Sequence, residues 1–271
     1  MTDFRSDNSG PRVRAIASVA NPLVKDIRAL HMRKARAETG RFLAEGARTI
    51  AQALDHGFAP EMLVYRSDPA IAPLCARAAA AGAQLLEVTD AVLEKISQRD
   101  NAQSVIGVFR QRLRRLADLD PGSAPLWLAL EGVRDPGNLG TCVRTADATG
   151  TGGVILIGNT CDPFGIEAVR ATMGSIFAVP IYAAEPDEAL AFVRAWPGIS
   201  VGTALQGAVD YREAAYAAPT LIVNGTEQSG LSDAMRDSCG TLVKLPMRDG
   251  VESLNLSVAA GVMLYAVRER L

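Results

Sequence analysis

The sequence predicts an α/β protein of two domains, a smaller α/β domain over residues 1–115 and a parallel-sheet domain over residues 126–271. Strand-like and helical segments alternate along the chain, which is typical of α/β folds. The stretch RRLADLDPGSAP is rich in charge, Pro and Gly, and it predicts a linker over residues 116–125. Because 48% of the 271 residues are apolar, the chain has ample material for a hydrophobic core.

The first half contains short strands between helices. Residues 1–15 are polar, and we expect them to be flexible. Asn21 and Pro22 are an N-cap and a first helical residue, and they predict a helix that ends at Gly40. RFLAEGARTIAQALDHG predicts a short strand or turn, followed by a helix closed by Gly57. The remaining segments alternate in type: strand EMLVY, helix IAPLCARAAAAGA, strand QLLEV, helix TDAVLEKISQ and strand SVIGVFRQ.

The second half contains longer apolar strands. LWLALE leads through GVRDPGNLG into a helix over residues 138–149. Five further strands follow at GVILIG, FAVPIYA, ISVGTAL, TLIVNG and LVKLPM. Strands that are apolar on both faces, with helices between them, predict a parallel sheet covered on both sides.

Charge is distributed unevenly along the chain. The net charge is −2, but residues 1–120 carry +4 and residues 121–271 carry −6. A basic first half favours a polyanionic partner, with Arg33–Arg36 and Arg110–Arg115 as candidate contacts. The alternative is that these charges form a solvated helix face.

Several classes of protein are disfavoured. Four widely spaced cysteines form no C-x-x-C pair, which argues against zinc or a disulfide framework and suits a reduced cytoplasm. Two histidines are too few for a His-based metal site or triad. The apolar runs are shorter than the ~20 residues of a membrane span, and the N-terminus lacks a signal-peptide core. We therefore expect a cytoplasmic protein without a metal.

Three junctions between a strand and a loop or helix carry the candidate chemistry. DPGNLGTCVRTADATG places Asn138 and Arg144 after a glycine-containing loop of the kind that lets a backbone approach a polar ligand. Asn138 could instead be a helix cap, and Arg144 a solvent-facing residue. In LIVNGTEQSGLS, Gly225 and Gly230 bracket Glu227, which suits either a turn residue or a group that binds a hydroxyl or positions an arginine.

The third junction is LVKLPMRDGVESLNLS, which continues into the apolar helix VAAGVMLYAV. Ser253, Asn255 and Ser257 alternate with leucines directly before that helix. They could cap the helix. Alternatively, the helix start could hold a ligand, because its unpaired N–H groups attract polar and anionic atoms.

Together these junctions resemble the three sequence motifs of the SpoU/TrmH family of RNA ribose 2'-O-methyltransferases, within the SPOUT superfamily. The resemblance covers residues 126–271, and ATMGSIFAVPI also resembles the family, with Thr172 where serine is commoner. The first half is similar to the substrate-binding domain often fused to these enzymes. The matching motif residues are Asn138, Gly140, Arg144, Ala146; Gly225, Glu227, Gly230; and Pro246, Met247, Gly250, Ser253, Leu254, Asn255.

The resemblance implies a deep trefoil knot in the second domain, S-adenosylmethionine as cofactor and a homodimer formed through the second domain. It implies RNA as substrate, with ribosomal RNA favoured over transfer RNA. The implied catalytic residues are Arg144, Asn138, Glu227, Ser253 and Asn255. The implied cofactor-binding residues are Thr203, Ala204, Leu205, Gly225, Leu245, Met247 and Leu254.

Three alternatives remain open from sequence. The enzyme could methylate a base instead of a ribose, or act on transfer RNA. The chain could be a non-catalytic RNA-binding protein that keeps the fold. A general nucleotide-binding protein is disfavoured, because neither G-x-G-x-x-G nor G-K-[ST] is present.

Overall fold

The computed structural model describes residues 13–99, 103–205, 208–226, 228–250 and 253–271. The chain divides into two compact units, with the boundary between Gln111 and Arg112. In the described part of the chain, no helix is long and apolar enough to cross a membrane.

The first unit is built on a five-stranded mixed sheet with the order β1-β4-β3-β5-β2. Strands β1, β4 and β3 are parallel, and β5 runs antiparallel to both β3 and β2. Its elements, in chain order, are β1 Val13–Ile16, α1 Pro22–Ala29, α2 Arg33–Thr39, β2 Arg41–Glu45, α3 Ala47–Asp55, β3 Met62–Tyr65, α4 Ala72–Ala80, β4 Gln84–Val88, α5 Asp90–Ser97 and β5 Val105–Arg110.

The expected flexible segment over residues 1–15 overlaps a strand. Val13 to Ile16 pair with residues 85–88 of β4, and the Ile16 side chain is buried. Strand pairing fixes this segment through backbone hydrogen bonds, which its polar composition does not reveal. Residues 1–12 lie outside the described residues.

The helix predicted from Asn21 to Gly40 is two helices. Asn21 caps α1 by accepting from Leu23 N, and Gly40 ends α2 with a φ of 65°. The 5%-exposed Arg36 donates from Nη1 to the carbonyl oxygens of Leu30 and His31, between the two helices, each at 2.8 Å. One member of the expected basic cluster Arg33–Arg36 is therefore a structural residue that stabilises the helix break.

The second unit has an eight-stranded sheet with the order β11-β13-β10-β12-β7-β8-β9-β6. Every pairing is parallel, as the apolar strands predicted. Its elements, in chain order, are β6 Leu113–Arg115, β7 Leu126–Glu131, α6 Pro136–Thr149, β8 Val154–Ile157, α7 Ile166–Thr172, β9 Ile181–Ala184, α8 Pro186–Arg194, β10 Ile199–Thr203, β11 Val209–Asp210, β12 Thr220–Asn224, α9 Asp233–Arg236, β13 Thr241–Lys244 and α10 Leu256–Arg268.

The segment expected to be a linker, residues 116–125, is packed into the second unit. Leu116 and Leu119 are buried in the same core cluster as Trp127, whose indole Nε1 donates to the carbonyl oxygens of Pro121 and Ala124. Leu113–Arg115, which we assigned to the first domain, pairs with β9 of the second unit. The segment packs against the core despite its charged and turn-forming residues, because burying the two apolar leucine side chains is favourable.

Candidate functional site

A cavity of about 440 Å³ lies in the second unit, where β10, β12 and β13 end and α10 begins. Parallel strands present their carboxyl ends at one edge of the sheet, which is where open α/β sheets bind ligands. All seven residues predicted to bind the cofactor line this cavity: Thr203, Ala204, Leu205, Gly225, Leu245, Met247 and Leu254. Ser253, one of the predicted catalytic residues, also lines it. The structure therefore brings the second and third junctions together.

The loop after β12 forms a closed turn on one side of the cavity. Thr226 and Gly230 exchange two backbone hydrogen bonds, at 3.1 and 3.0 Å, and Gly230 has a φ of 66°. A Cβ added to Gly225 would lie 2.0 Å from the Gly230 carbonyl carbon. Only glycine fits there, because the loop backbone folds back onto residue 225. Glu227, predicted to be catalytic, lies outside the described residues.

The first junction forms the N-terminal turns of α6. Asp135 caps this helix by accepting from the backbone N–H of Asn138 at 2.7 Å, so Asn138 is not the cap. Gly140 lies within the helix, and a Cβ there would be 2.4 Å from the Cβ of Ala171. This glycine permits close packing of α6 on α7. Gly140 therefore does not belong to a loop that approaches a ligand, as the sequence had suggested for this junction.

The third junction connects α10 to α6 through two asparagines. Asn255 caps α10, its Oδ1 accepting from Ser257 N at 2.9 Å and Val258 N at 3.4 Å. The Asn255 Nδ2 donates to Asn138 Oδ1 at 2.9 Å, across 117 residues of sequence. Ser257 Oγ contacts the same two asparagines. The Asn255 side chain therefore performs the capping role with one atom and joins two motifs with the other.

Arg144 is an exposed residue on α6. It lies six residues after Asn138, about 9 Å further along the helix axis and on a different side of the helix. It is not among the described residues that line the cavity, nor does it pair with any other described side chain. The structure thus brings Asn138 and Asn255 together, and it places Ser253 beside the predicted cofactor residues. Arg144 is exposed and is accessible to an external partner.

Two further observations concern metal and thiol chemistry in the described part of the chain. Across the described ranges, no cluster of His, Cys, Asp or Glu could hold a metal ion. Cys239 lies behind β10, where a Cβ on Gly202 would be 2.9 Å from its Sγ. Burial, with a smaller effect from the charge of Glu131, raises the pKa of this thiol to about 12. The thiol is therefore protonated at neutral pH and is a poor nucleophile.

The residues that line the cavity but were not predicted from the sequence include Asn224 and Arg236. Asn224 is the last residue of β12 and is 1% exposed. A polar residue that ends an otherwise apolar strand, TLIVN, was a signal that could have identified it. Arg236 lies on the short helix α9 and forms an ion pair with Asp233, a pattern that looks like an ordinary surface pair in the sequence.

Family models match both units. The SpoU rRNA Methylase family matches residues 125–265, and the MRM3-like substrate binding domain matches residues 21–107. Among curated proteins, the chain is 30% identical over 258 residues to the 23S rRNA (guanosine(2553)-2'-O)-methyltransferase RlmP of Bacillus subtilis, covering 94% of this chain and 100% of that protein. It is 30% identical over 248 residues to a 23S rRNA (uridine(2479)-2'-O)-methyltransferase of Streptomyces viridochromogenes, covering 88% and 86%.

Solved structures give the same result. The AdoMet-bound rRNA methyltransferase from Sinorhizobium meliloti aligns with a TM-score of 0.89 and 44% identity, covering 96% of this chain and 98% of that one. The SpoU methyltransferase AviRb from Streptomyces viridochromogenes, in complex with AdoMet, aligns with a TM-score of 0.81 and 29% identity, covering 92% and 98%.

Proposed function

This chain belongs to the SpoU rRNA methylase family, and we propose that it transfers a methyl group from S-adenosylmethionine to a ribose 2'-hydroxyl of ribosomal RNA. The observation that carries the proposal is the cavity of about 440 Å³ lined by all seven predicted cofactor residues. That volume lies within the usual range of small-molecule sites. The relatives named as 23S rRNA 2'-O-methyltransferases support ribose methylation over base methylation, and ribosomal over transfer RNA.

The cavity residues suit this cofactor chemically. Leu245, Met247 and Leu254 offer apolar surface for an adenosine group, and Gly225 keeps the backbone accessible. Thr203 to Leu205 complete the wall at the end of β10. When bound, S-adenosylmethionine would supply an electrophilic methyl group on a sulfonium. The residues of the chain exclude water and hold the acceptor ribose in line for transfer, and such positioning can supply a large share of the acceleration.

Arg144 is proposed to act on the acceptor nucleotide. Arginine stays protonated in proteins, so it is a poor general base. Its guanidinium is suited to bind the adjacent phosphate and to stabilise negative charge that develops on the 2'-oxygen as its proton leaves. Asn138 and Asn255 would act as positioning residues through their mutual hydrogen bond. Ser253 and Glu227 are proposed to complete the polar surroundings of the acceptor.

The test is methyl transfer from labelled S-adenosylmethionine to 23S, 16S and transfer RNA, each lacking modifications. We expect label in ribosomal RNA at a nucleotide whose 3' linkage becomes resistant to alkali. Label that leaves the linkage sensitive would indicate base methylation. Label only in transfer RNA would reject the ribosomal substrate, and no transfer to any RNA, with cofactor bound, would indicate a binding protein.

The two functions of Asn255 can be separated by substitution. Asn255→Ala removes both the cap and the bond to Asn138, so we expect a loss of about 1 kcal/mol in the free energy of unfolding together with reduced transfer. Asn255→Ser keeps a capping oxygen but is too short to reach Asn138. We expect nearly native stability with reduced transfer, measured by chemical denaturation beside single-turnover kinetics. Full activity in Asn255→Ser would restrict Asn255 to capping.

The first unit carries the proposed RNA-binding surface on α1 and α2. Lys25, Arg28, Arg33 and Lys34 are exposed there. The exposed ion pair of Lys34 with Glu38, at 3.9 Å, holds the lysine only weakly. Several other members of the basic clusters are already engaged: Arg36 stabilises the helix break, Arg110 pairs with Glu61, and Arg115 pairs with Asp118. The match to a substrate-binding domain supports this assignment.

Removing charge from that surface should weaken RNA binding. In the full-length chain, the double substitution Arg33→Ala and Lys34→Ala is expected to lower RNA affinity and to reduce the salt slope by about 1 for each phosphate that the protein no longer neutralises. Arg77→Ala is the matched control, because Arg77 is exposed on the same unit but pairs with Asp55 at 2.6 Å. Equal decreases in affinity for both variants, measured by salt-dependent titration, would contradict the assignment.

We also propose a homodimer formed through the second unit. One side of α10 is buried by its own chain, at Leu256, Ala260 and Met263. Another side exposes Val258, Val262 and Tyr265, of which the exposed fractions are 51%, 39% and 44%. These positions follow the i, i+4, i+7 pattern of one helix face, which predicts burial against a partner.

The dimer can be tested by sedimentation. The native protein is expected to be a dimer at micromolar concentration, and Val262→Glu should shift it to a monomer because a charge would be buried in the interface. Leu113→Glu, at an exposed residue of β6, is the control and should remain a dimer. A native monomer that retains activity would exclude the proposal.

The trefoil knot and a cytoplasmic location stay predictions of the same assignment. The four free cysteines suit a cytoplasmic location.

A further inference from the structure

Asn224 carries a hydrogen-bonding group that the protein leaves unused. Its side chain is 1% exposed, and Oδ1 is buried without a hydrogen-bond partner. Buried polar side-chain atoms are bonded in the large majority of cases, and each exception needs an explanation. Because an unpaired acceptor destabilises a folded protein, an unused acceptor at a ligand cavity suggests a donor supplied by the ligand.

The direction of the Asn224 side chain follows from the alternation of β12. Leu221 and Val223 belong to the core cluster around Trp127, on one face of the sheet. Thr220, Ile222 and Asn224 therefore lie on the opposite face, since successive side chains in a strand point to opposite sides. The first turns of α10, at Leu256 and Ala259, line the cavity together with Asn224.

Among the described residues, none gives this amide oxygen a structural role. The start of α10 is already capped by Asn255, which accepts from Ser257 N and Val258 N. On the adjacent strand β7, the residue in register with Asn224 is Leu130, whose side chain has no hydrogen-bond donor. The cavity that Asn224 lines combines apolar side chains such as Leu256 and Ala259 with polar ones such as Thr203 and Gln228.

We infer that the Asn224 amide recognises the adenine base of the cofactor, with Oδ1 accepting from the N6-amino group. The inference rests on the proposed function, because adenine reaches this cavity only as part of the cofactor. Asparagine amides match the edge of adenine, accepting from the amino group and donating to a ring nitrogen. The apolar faces of the base also suit Leu256 and Ala259, which line the same cavity.

The other donors of the cofactor fit Asn224 less well. A buried ammonium group needs an anionic partner, and the charged residue among the described lining side chains is the cationic Arg236. The ribose hydroxyls can be satisfied by water at the cavity mouth. Asn224 would therefore determine specificity for the base, and it would not act in the chemical step.

The test compares two ligands that differ at one group. S-adenosylhomocysteine carries the amino group, whereas S-inosylhomocysteine carries a carbonyl oxygen that would face Oδ1. By calorimetric titration, the native protein should prefer S-adenosylhomocysteine by at least about tenfold. Asn224→Leu should bind S-adenosylhomocysteine about tenfold more weakly and show no preference. Thr220→Val is the control, since Thr220 is buried on the same strand face but bonds Ala217 O at 2.8 Å.

The outcomes separate the inference from the proposed function. A native protein that binds neither ligand would refute the proposed cofactor, whereas an Asn224→Leu protein that keeps the full preference would overturn the inference alone. The melting temperature of ligand-free Asn224→Leu is a second readout. It should not fall, because the change removes an unpaired acceptor. If it falls by several degrees, Asn224 has a structural role and the inference is wrong. Asn224→Ala gives the same comparison of ligands should leucine prevent folding.

Discussion

Replacing Arg144 with alanine is expected to lower the rate of methyl transfer by about 10²–10³-fold, the usual effect of removing one preorganised charge-stabilising donor. Affinity for S-adenosylmethionine should remain nearly native, because Arg144 is not among the described residues that line the cavity. The fold should also be unaffected, because the side chain is exposed and pairs with no other described side chain. A large loss of transfer rate with unchanged stability and cofactor affinity would support a contact between Arg144 and the RNA.

Single-turnover transfer and calorimetric titration of the cofactor, on the same preparations, separate these effects. Arg144→Lys keeps the charge but lacks the planar fork that binds phosphate through two hydrogen bonds. We expect it to recover a small part of the missing rate. An Arg144→Ala enzyme that transfers methyl at the native rate would overturn the proposed mechanism.

Replacing Gly225 with valine should abolish high-affinity cofactor binding, and the structure adds a second consequence. The new Cβ would lie 2.0 Å from the Gly230 carbonyl carbon and 2.2 Å from Leu231 N, so the loop backbone must move. Overpacking of this kind typically destabilises by about 1–3 kcal/mol. We therefore expect reduced stability beside a decrease in cofactor affinity greater than about tenfold, since this loop forms one wall of the cavity.

Gly230→Ala provides the matched comparison. Gly230 lies in the same loop and has a φ of 66°, but a Cβ there meets nothing within 4 Å. It should destabilise by only about 1 kcal/mol through backbone strain, with a smaller effect on binding. Denaturation curves measure the stability of both variants, and calorimetric titrations measure their affinity for the cofactor. If Gly225→Ala folds and binds like the native protein, the loop does not form the cavity wall that we describe.

Local features of the protein could be read from its sequence. Asn21 with Pro22 predicted the start of α1, and the apolar strands between helices predicted the parallel sheet of the second unit. The resemblance of the motifs to a known family implied Thr203, Gly225 and Leu254 as cofactor residues, and all three line the cavity. Caps, periodicity and motif spacing depend on residues within one or two turns of each other, so a single sequence contains them.

The tertiary structure decided what depends on distant neighbours. Arg36 stabilises a break that divides one predicted helix into two helices. The buried Leu116 packs a segment whose composition predicted a linker into the core of the second unit. The sheet order brings Asn255 to Asn138 across 117 residues, so that a helix cap also joins two motifs. The burial of Asn224 likewise depends on α10 covering the end of β12. The pattern within a segment shows that a side chain is polar, but the partner it meets is set by how separate elements pack.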